Sequence, residues 1–284
     1  MKWKKIKEII IFSLIRLSAL FIVIALGIML FYIFSGGIGK ISWEFLSSFP
    51  TNGMKSGGIF PMIIGTLSLM ILTMLIALPI GILSAIYLVE YTKPGRFTDI
   101  IRLAVHNLAG VPSIVYGLLG LGLFVLFLGF GLSLISAAFT LAIMVLPIVI
   151  TASQETLYAV PKSMREGALA LGSTKWETTR HHVLPYAIPG MLTGSILALS
   201  RAAGETAPII MTGAAFYMTH LPSSVFDEFM ALPYSIYTLS TESSDVQATR
   251  PVVFGAIIVL LLIVLGMNLI AISLRNYYRK KYRW

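Results

Sequence analysis

Six stretches of this chain are too long and too apolar to be ordinary core helices. From Ile9 to Phe34 the sequence carries a single charge, Arg16, and comparable runs lie near 60–90, 104–130, 132–152, 186–216 and 251–274. A helix needs about 20 apolar residues to cross a bilayer. In hydrocarbon every backbone polar group must also be satisfied within the segment, which leaves helices or a closed barrel. The runs therefore predict an all-α polytopic membrane protein, six transmembrane helices in one membrane domain over residues 1–284, with a very short turn at Gly129–Gly131. With 57% hydrophobic and only 12% charged residues, a soluble domain is excluded. The N-terminus is basic and then apolar, but its run exceeds the roughly 7–15 residues of a signal-peptide core, and no small-residue cleavage site follows, so it reads as a membrane helix. The absence of cysteine rules out a disulfide framework, a thiol nucleophile and a thiolate metal site.

Charge sets the expected orientation. An N-terminus inside places 16 of the 21 Lys and Arg residues in the cytoplasm, among them Lys93, Arg96, Arg102, Lys162, Arg165, Lys175, Arg180 and the cluster from Arg275 to Arg283. Only Lys40, Lys55 and Arg250 then fall outside. Both termini are thus expected in the cytoplasm. The net charge of +9 does not point to nucleic acid, because the basic residues flank apolar runs instead of forming one patch. Arg16, in the first turns of its span, can snorkel to the interface. Pro79, Pro112 and Pro147 are expected to kink their helices.

The longest inner loop, 153–185, has structure of its own. Leu157, Val160, Met164, Ala168 and Leu171 recur at steps of three and four, which draws an apolar stripe. Ser163 with Glu166 and Thr174 with Glu177 have capping-box spacing, Gly172 suits a helix stop, and Pro185 closes the second helix. Two short helices with a glycine corner follow. Gly167 and Gly172 imitate the spacing of a phosphate loop, but no Lys-Ser or Lys-Thr follows and no strand precedes. His181 and His182 are adjacent, point to different faces and lack partner ligands, so no metal site is expected.

The run "REGALALGSTKWETTRHHVLPYAIPG" resembles the EAA loop of ABC-importer permeases, matching at Glu166, Ala168, Gly172, Leu184 and Pro185, with Gly167 and His182 as departures. In that family the loop docks into a groove on a separate ATPase subunit. The resemblance implies that Glu166, Ala168, Gly172, Trp176 and Pro185 serve coupling to the ATPase. The alternative is a helix lying on the membrane surface.

The fifth run places Arg201 and Glu205 near the midplane. Four residues apart on a helix, they share one face, with Gly194, Ser195, Ala198, Ala202 and Ala203 allowing close helix contact. Intramembrane charges are costly and mark substrate paths or pairs facing protein. "PGMLTGSILALSRAAGETAPIIMTGAA" is similar to the same region of phosphate importer permeases of the PstA type, as is "FMALPYSIYTLS" in the outer loop. The resemblance implies a type I ABC importer permease fold, import of inorganic phosphate past Arg201 and Glu205, no catalytic chemistry and no cofactor in this chain. It also implies a homologous PstC-type permease, two PstB-type ATPase subunits and a PstS-type phosphate-binding protein, in the plasma (inner) membrane of a prokaryote. The outer loop, 217–250, is expected to rest on the membrane rim and meet the binding protein through Tyr234 or Tyr237. Three readings compete: a permease for another oxyanion or solute, an ion-driven secondary transporter, and a membrane enzyme. A structural ion pair is the competing reading of Arg201 and Glu205.

Overall fold

The computed structural model describes residues 2–54, 56–93, 95–243 and 245–281. Lys55 and Arg283, both part of the charge pattern, lie outside the described residues. The elements in chain order are α1 (Lys2–Gly37), α2 (Trp43–Ser47), a two-stranded hairpin β1 (Pro50–Thr51) and β2 (Ser56–Gly57), then α3 (Phe60–Ile86), α4 (Arg96–Ala109), α5 (Ser113–Gly120) and α6 (Leu134–Ala159). They continue with α7 (Lys162–Ala170), α8 (Lys175–Glu177), α9 (Leu184–Gly204), α10 (Ala207–Thr212), α11 (Leu232–Thr241) and α12 (Val246–Lys281). Wider π turns extend α3 through Tyr87–Tyr91, extend α5 through Leu121–Phe127 and join α8 to α9 through Thr178–Val183.

Five helical segments are long and apolar enough to cross a membrane: Lys7–Lys40, Phe60–Tyr91, Leu134–Ala159, Lys175–Gly204 and Val246–Lys281. The third expected span differs. Instead of one helix over 104–130, α4 and α5 meet at a 105° bend. Pro112 is the cause, because it strips a helical hydrogen bond and clashes with the preceding turn, and Gly110 beside it offers little helical preference. The straight part, Ser113–Phe127, is only about 22 Å long at 1.5 Å per residue. The bend leaves Phe97, Ile100 and Leu103 of α4 exposed while Thr98 is buried. Pro79 and Pro147 lie inside helices that run on past them.

The middle of the bundle is α6. Its Ala137, Ala138, Leu141, Ala142, Val145 and Val149 are fully buried and join Leu69 and Ala77 of α3 with Ala198 and Ala202 of α9 in one core. Small residues set the spacing. A methyl group placed on Gly190 would stand 1.9 Å from Thr156 Cγ2, and one on Gly194 2.3 Å from Ala152 Cβ. Two glycines four apart let the α9 and α6 backbones touch, the close crossing that membrane helices favour. Gly129 and Gly131, both with positive φ, turn the chain into α6, where the Ser133 hydroxyl accepts from the Ser136 amide at 3.3 Å.

The apolar start of the "FMALPYSIY" stretch in the 217–250 loop is inserted between helices instead of lying on a rim. Phe229, Met230, Ala231 and Leu232 are buried at 1% exposure or less. The Leu232 amide donates to Thr66 Oγ1 at 2.9 Å, and the Ala215 amide to the Phe229 carbonyl at 2.8 Å. An apolar run of this kind gains more by insertion between helices than by lying at an interface, provided its backbone finds partners. Tyr237 remains exposed.

Candidate functional site

Two places in the fold carry the residues that the sequence singles out. The first is the C-terminal end of α9. The expected continuous helix over 186–216 is broken: α9 stops at Gly204, Glu205 is extended (φ −76°, ψ 130°), and α10 starts at Ala207. The sequence dictates the stop locally. A helix running through Pro208 would lose the bond to the carbonyl of Gly204, four residues earlier, and press the proline ring against it. Gly204 itself is a weak helix former.

Arg201 and Glu205 therefore do not share a helical face; they straddle the break. Arg201 Nε stands 3.6 Å from Glu205 Oε1, with side chains 36% and 18% exposed. Among the described residues this is the only ion pair of Arg201, and its guanidinium donates no hydrogen bond. A planar fork with five donors, held near one carboxylate but not engaged by it, is open to a bidentate oxyanion. The adjacent Ser200 is tied across the bundle: Asn268 Nδ2 of α12 donates to Ser200 Oγ at 2.9 Å. Between α6 and α9 runs a groove of about 610 Å³, lined by Glu155, Thr156, Thr193 and Ser200 among others. Asn268 escaped the sequence reading, although a lone amide in the run 251–274 is a signal for an interhelical hydrogen bond.

The second place is the loop at the other end of α9. Gly172 takes φ +89°, the left-handed conformation that a glycine corner requires. Thr174 and Glu177 form a complete capping box: the Thr174 amide donates to Glu177 Oε2 at 2.8 Å and the Glu177 amide to Thr174 Oγ1 at 3.3 Å. The box at Ser163 and Glu166 is not made; α7 begins at Lys162 after Pro161, with no side-chain cap. Leu157 belongs to the last turn of α6 and Val160 is the extended residue that follows it, so the apolar stripe is split between two helices. Pro185 does not terminate α8. The π turn Thr178–Val183 carries the chain straight into α9, because a wider turn accommodates a proline that a regular α-turn would not.

Of the expected coupling residues, Glu166 and Trp176 are exposed, whereas Ala168 is turned inward at 6% exposure. Leu171, placed by periodicity on the inner stripe, is instead 89% exposed beside the Gly172 corner. Arg165 also faces inward, joined to Glu90 of the π turn after α3. No group of three or more His, Cys, Asp or Glu able to hold a metal occurs among the described residues.

Comparison with known proteins adds four findings. Residues 77–284 match the family model described as binding-protein-dependent transport system inner membrane component. The phosphate transport system permease protein PstA 1 of Mycobacterium tuberculosis (strain CDC 1551 / Oshkosh) is 38% identical over 221 residues, covering 78% of this chain and 71% of that protein. The probable ABC transporter permease protein YqgI of Bacillus subtilis (strain 168) is 30% identical over 261 residues, covering 88% of both. Among solved structures, an inward-facing MetNI methionine ABC transporter superposes with a TM-score of 0.58 at 17% identity, over 78% of this chain and 94% of that one, which shows the shared fold.

Proposed function

Because this chain belongs to the family of binding-protein-dependent transport system inner membrane components, we propose that it is the PstA-type permease subunit of an ATP-driven importer of inorganic phosphate. The observation that carries the reading is the unengaged guanidinium of Arg201 at the break between α9 and α10. Phosphate in transit meets the Arg201 fork, and Glu205 holds the side chain in place between cycles. A homologous PstC-type permease completes the path, two PstB-type ATPase subunits supply the energy, and a PstS-type binding protein delivers phosphate from outside. ATP hydrolysis lies in those other subunits.

The 153–185 loop is then the coupling surface. The exposed Glu166, Leu171 and Trp176 offer one carboxylate and two large apolar side chains to a groove on the ATPase. Ala168 and Pro185 act from within, setting the shape of the loop. The end of the bundle that carries α7 faces the cytoplasm, along with both termini, as the Lys and Arg bias requires.

Uptake of radiolabelled phosphate into vesicles holding the four-subunit complex tests the reading. Uptake should require ATP inside and binding protein outside, and excess sulfate should not abolish it. Transport of another solute with no phosphate uptake would overturn the assignment.

A further inference from the structure

Arg165 stands next to the exposed Glu166 in α7, yet its side chain turns the other way. Arg165 Nη2 and Nε reach Glu90 Oε1 at 2.7 and 3.1 Å, and Nε lies 3.2 Å from Oε2. Arg165 Nη1 donates to the Val160 carbonyl and Nη2 also to the Leu157 carbonyl, each at 2.7 Å. The two side chains are 19% and 9% exposed. One guanidinium thus joins three elements: the helix that it stands on, the last carbonyls of α6 and the π turn that ends α3.

The surrounding chain shows why such a joint matters. Only Val160 and Pro161 link α6 to α7, and both are extended (φ −69°, ψ 128° and φ −57°, ψ 139°). The proline ring fixes the backbone of Pro161 and restricts Val160 before it, and Met164 of α7 packs against Ala85, Ile86, Leu157 and Val160 at the ends of α3 and α6. On its other side α7 meets the Gly172 corner, beyond which α8 and α9 form one unbroken helical run. The loop therefore has a continuous helical run into α9 and, toward α3 and α6, an apolar contact through Met164 to which Arg165 adds the polar tie. A half-buried, multiply hydrogen-bonded pair resists opening, since separation would leave a poorly solvated charge on each side.

We propose that the Arg165–Glu90 pair is the clasp through which motion of α7 reaches α3 and α6, making both of them positioning residues for energy coupling. The inference rests on the coupling role assigned above. With the clasp closed, a push on Glu166, Leu171 and Trp176 moves the ends of three spans together. With it open, only the apolar contact of Met164 and the Val160–Pro161 link are left to carry the motion to α3 and α6.

The test uses Glu90→Gln and Arg165→Lys in the complete complex, with co-purification of the ATPase as the measure of assembly. Phosphate taken up per ATP hydrolysed should fall at least about tenfold in Glu90→Gln, and to a lesser extent in Arg165→Lys, with assembly and basal hydrolysis retained. Because the chain has no cysteine, spin labels at Ser163→Cys and Lys93→Cys report the α7–α3 distance. That distance should stay fixed between nucleotide-free and ATP-bound states with Glu90 present, and vary between them in Glu90→Gln. Unchanged uptake per ATP with an unchanged distance would overturn the clasp. Uptake that falls only in proportion to lost assembly would also overturn it, leaving the pair as a structural bond. If the unaltered complex moves no phosphate, the substrate assignment fails, and the distance measurement alone decides the clasp.

Discussion

At Arg201 two roles compete, contact with the substrate and a structural ion pair with Glu205. Their salt bridge is long, 3.6 Å from Arg201 Nε to Glu205 Oε1, and the two roles differ in what they need from the guanidinium. Arg201→Lys keeps the charge and loses the planar fork, so phosphate uptake should fall about ten- to a hundredfold, the worth of one or two charge-assisted hydrogen bonds. Glu205→Gln should have a smaller effect. Unchanged uptake in Arg201→Lys, in vesicles with normal assembly, would assign the pair to packing. Gly172→Val forces a β-branched residue into a left-handed corner at a cost of about 1–2 kcal/mol; uptake should drop while insertion persists, as read from membrane yield and transport side by side. Asp227 offers a test outside the membrane. The Ser223 hydroxyl and the Ser224 and Ser223 amides donate to its carboxylate and hold it below the usual aspartate range. A lowered folded-state value means that this turn is supported at every pH above the ordinary aspartate value and loses support only as pH falls through the lowered one. Asp227→Asn should therefore lower the hydrogen-exchange protection of the Ser223 and Ser224 amides at pH 7, and the wild-type protection factors, corrected for intrinsic base catalysis, should show no titration between pH 5 and 8.

Close contact of small residues holds the α9 helix on α6. Gly190→Val would drive a side chain into Thr156, an overpacking expected to cost about 1–3 kcal/mol. A lowered melting temperature of the purified complex checks this. The same element shows what a sequence discloses and what it hides. Gly172 and the Thr174–Glu177 box are local devices, readable because both partners sit within one turn. The break at Gly204 was also written locally, in Gly204 and Pro208, but the apolar run over 186–216 masked it: hydropathy counts hydrocarbon and is blind to a missing N–H. The split of the Leu157 to Leu171 stripe arose the same way, since a period of 3.6 cannot register the two extended residues between α6 and α7. Arg165 and Glu90 are 75 positions apart, and no periodicity connects them. The insertion of Phe229 to Leu232 into the core likewise depends on Thr66 and Gly65, in a distant helix, making room and accepting a bond.

For the whole molecule, membrane spans and small-residue seams follow from composition, whereas the third passage does not. Its bent pair stands as one broken segment beside five long helices among the described residues. Single cysteines introduced into this cysteine-free chain would map the topology directly: labels at Ser163 and in the last turn of α12, at Arg279, should react only from the cytoplasmic side, and one at Tyr237 only from outside. Reactivity of Arg279→Cys and Ser163→Cys from opposite faces would contradict the orientation.

The stop at Gly204 has a consequence for hydration. A helix that ends leaves carbonyl oxygens without intrahelical partners; here the Glu205 amide reaches back to the Ala202 carbonyl at 3.4 Å, and Gly204 is exposed. Hydrocarbon tolerates such a backbone only where water or protein covers it. On the function proposed above, the gap between α9 and α10 would be covered by the partner permease or by water. With water there, entering phosphate would exchange one hydration shell for another, keeping the cost of shedding water low at the step where a dry passage would raise it most.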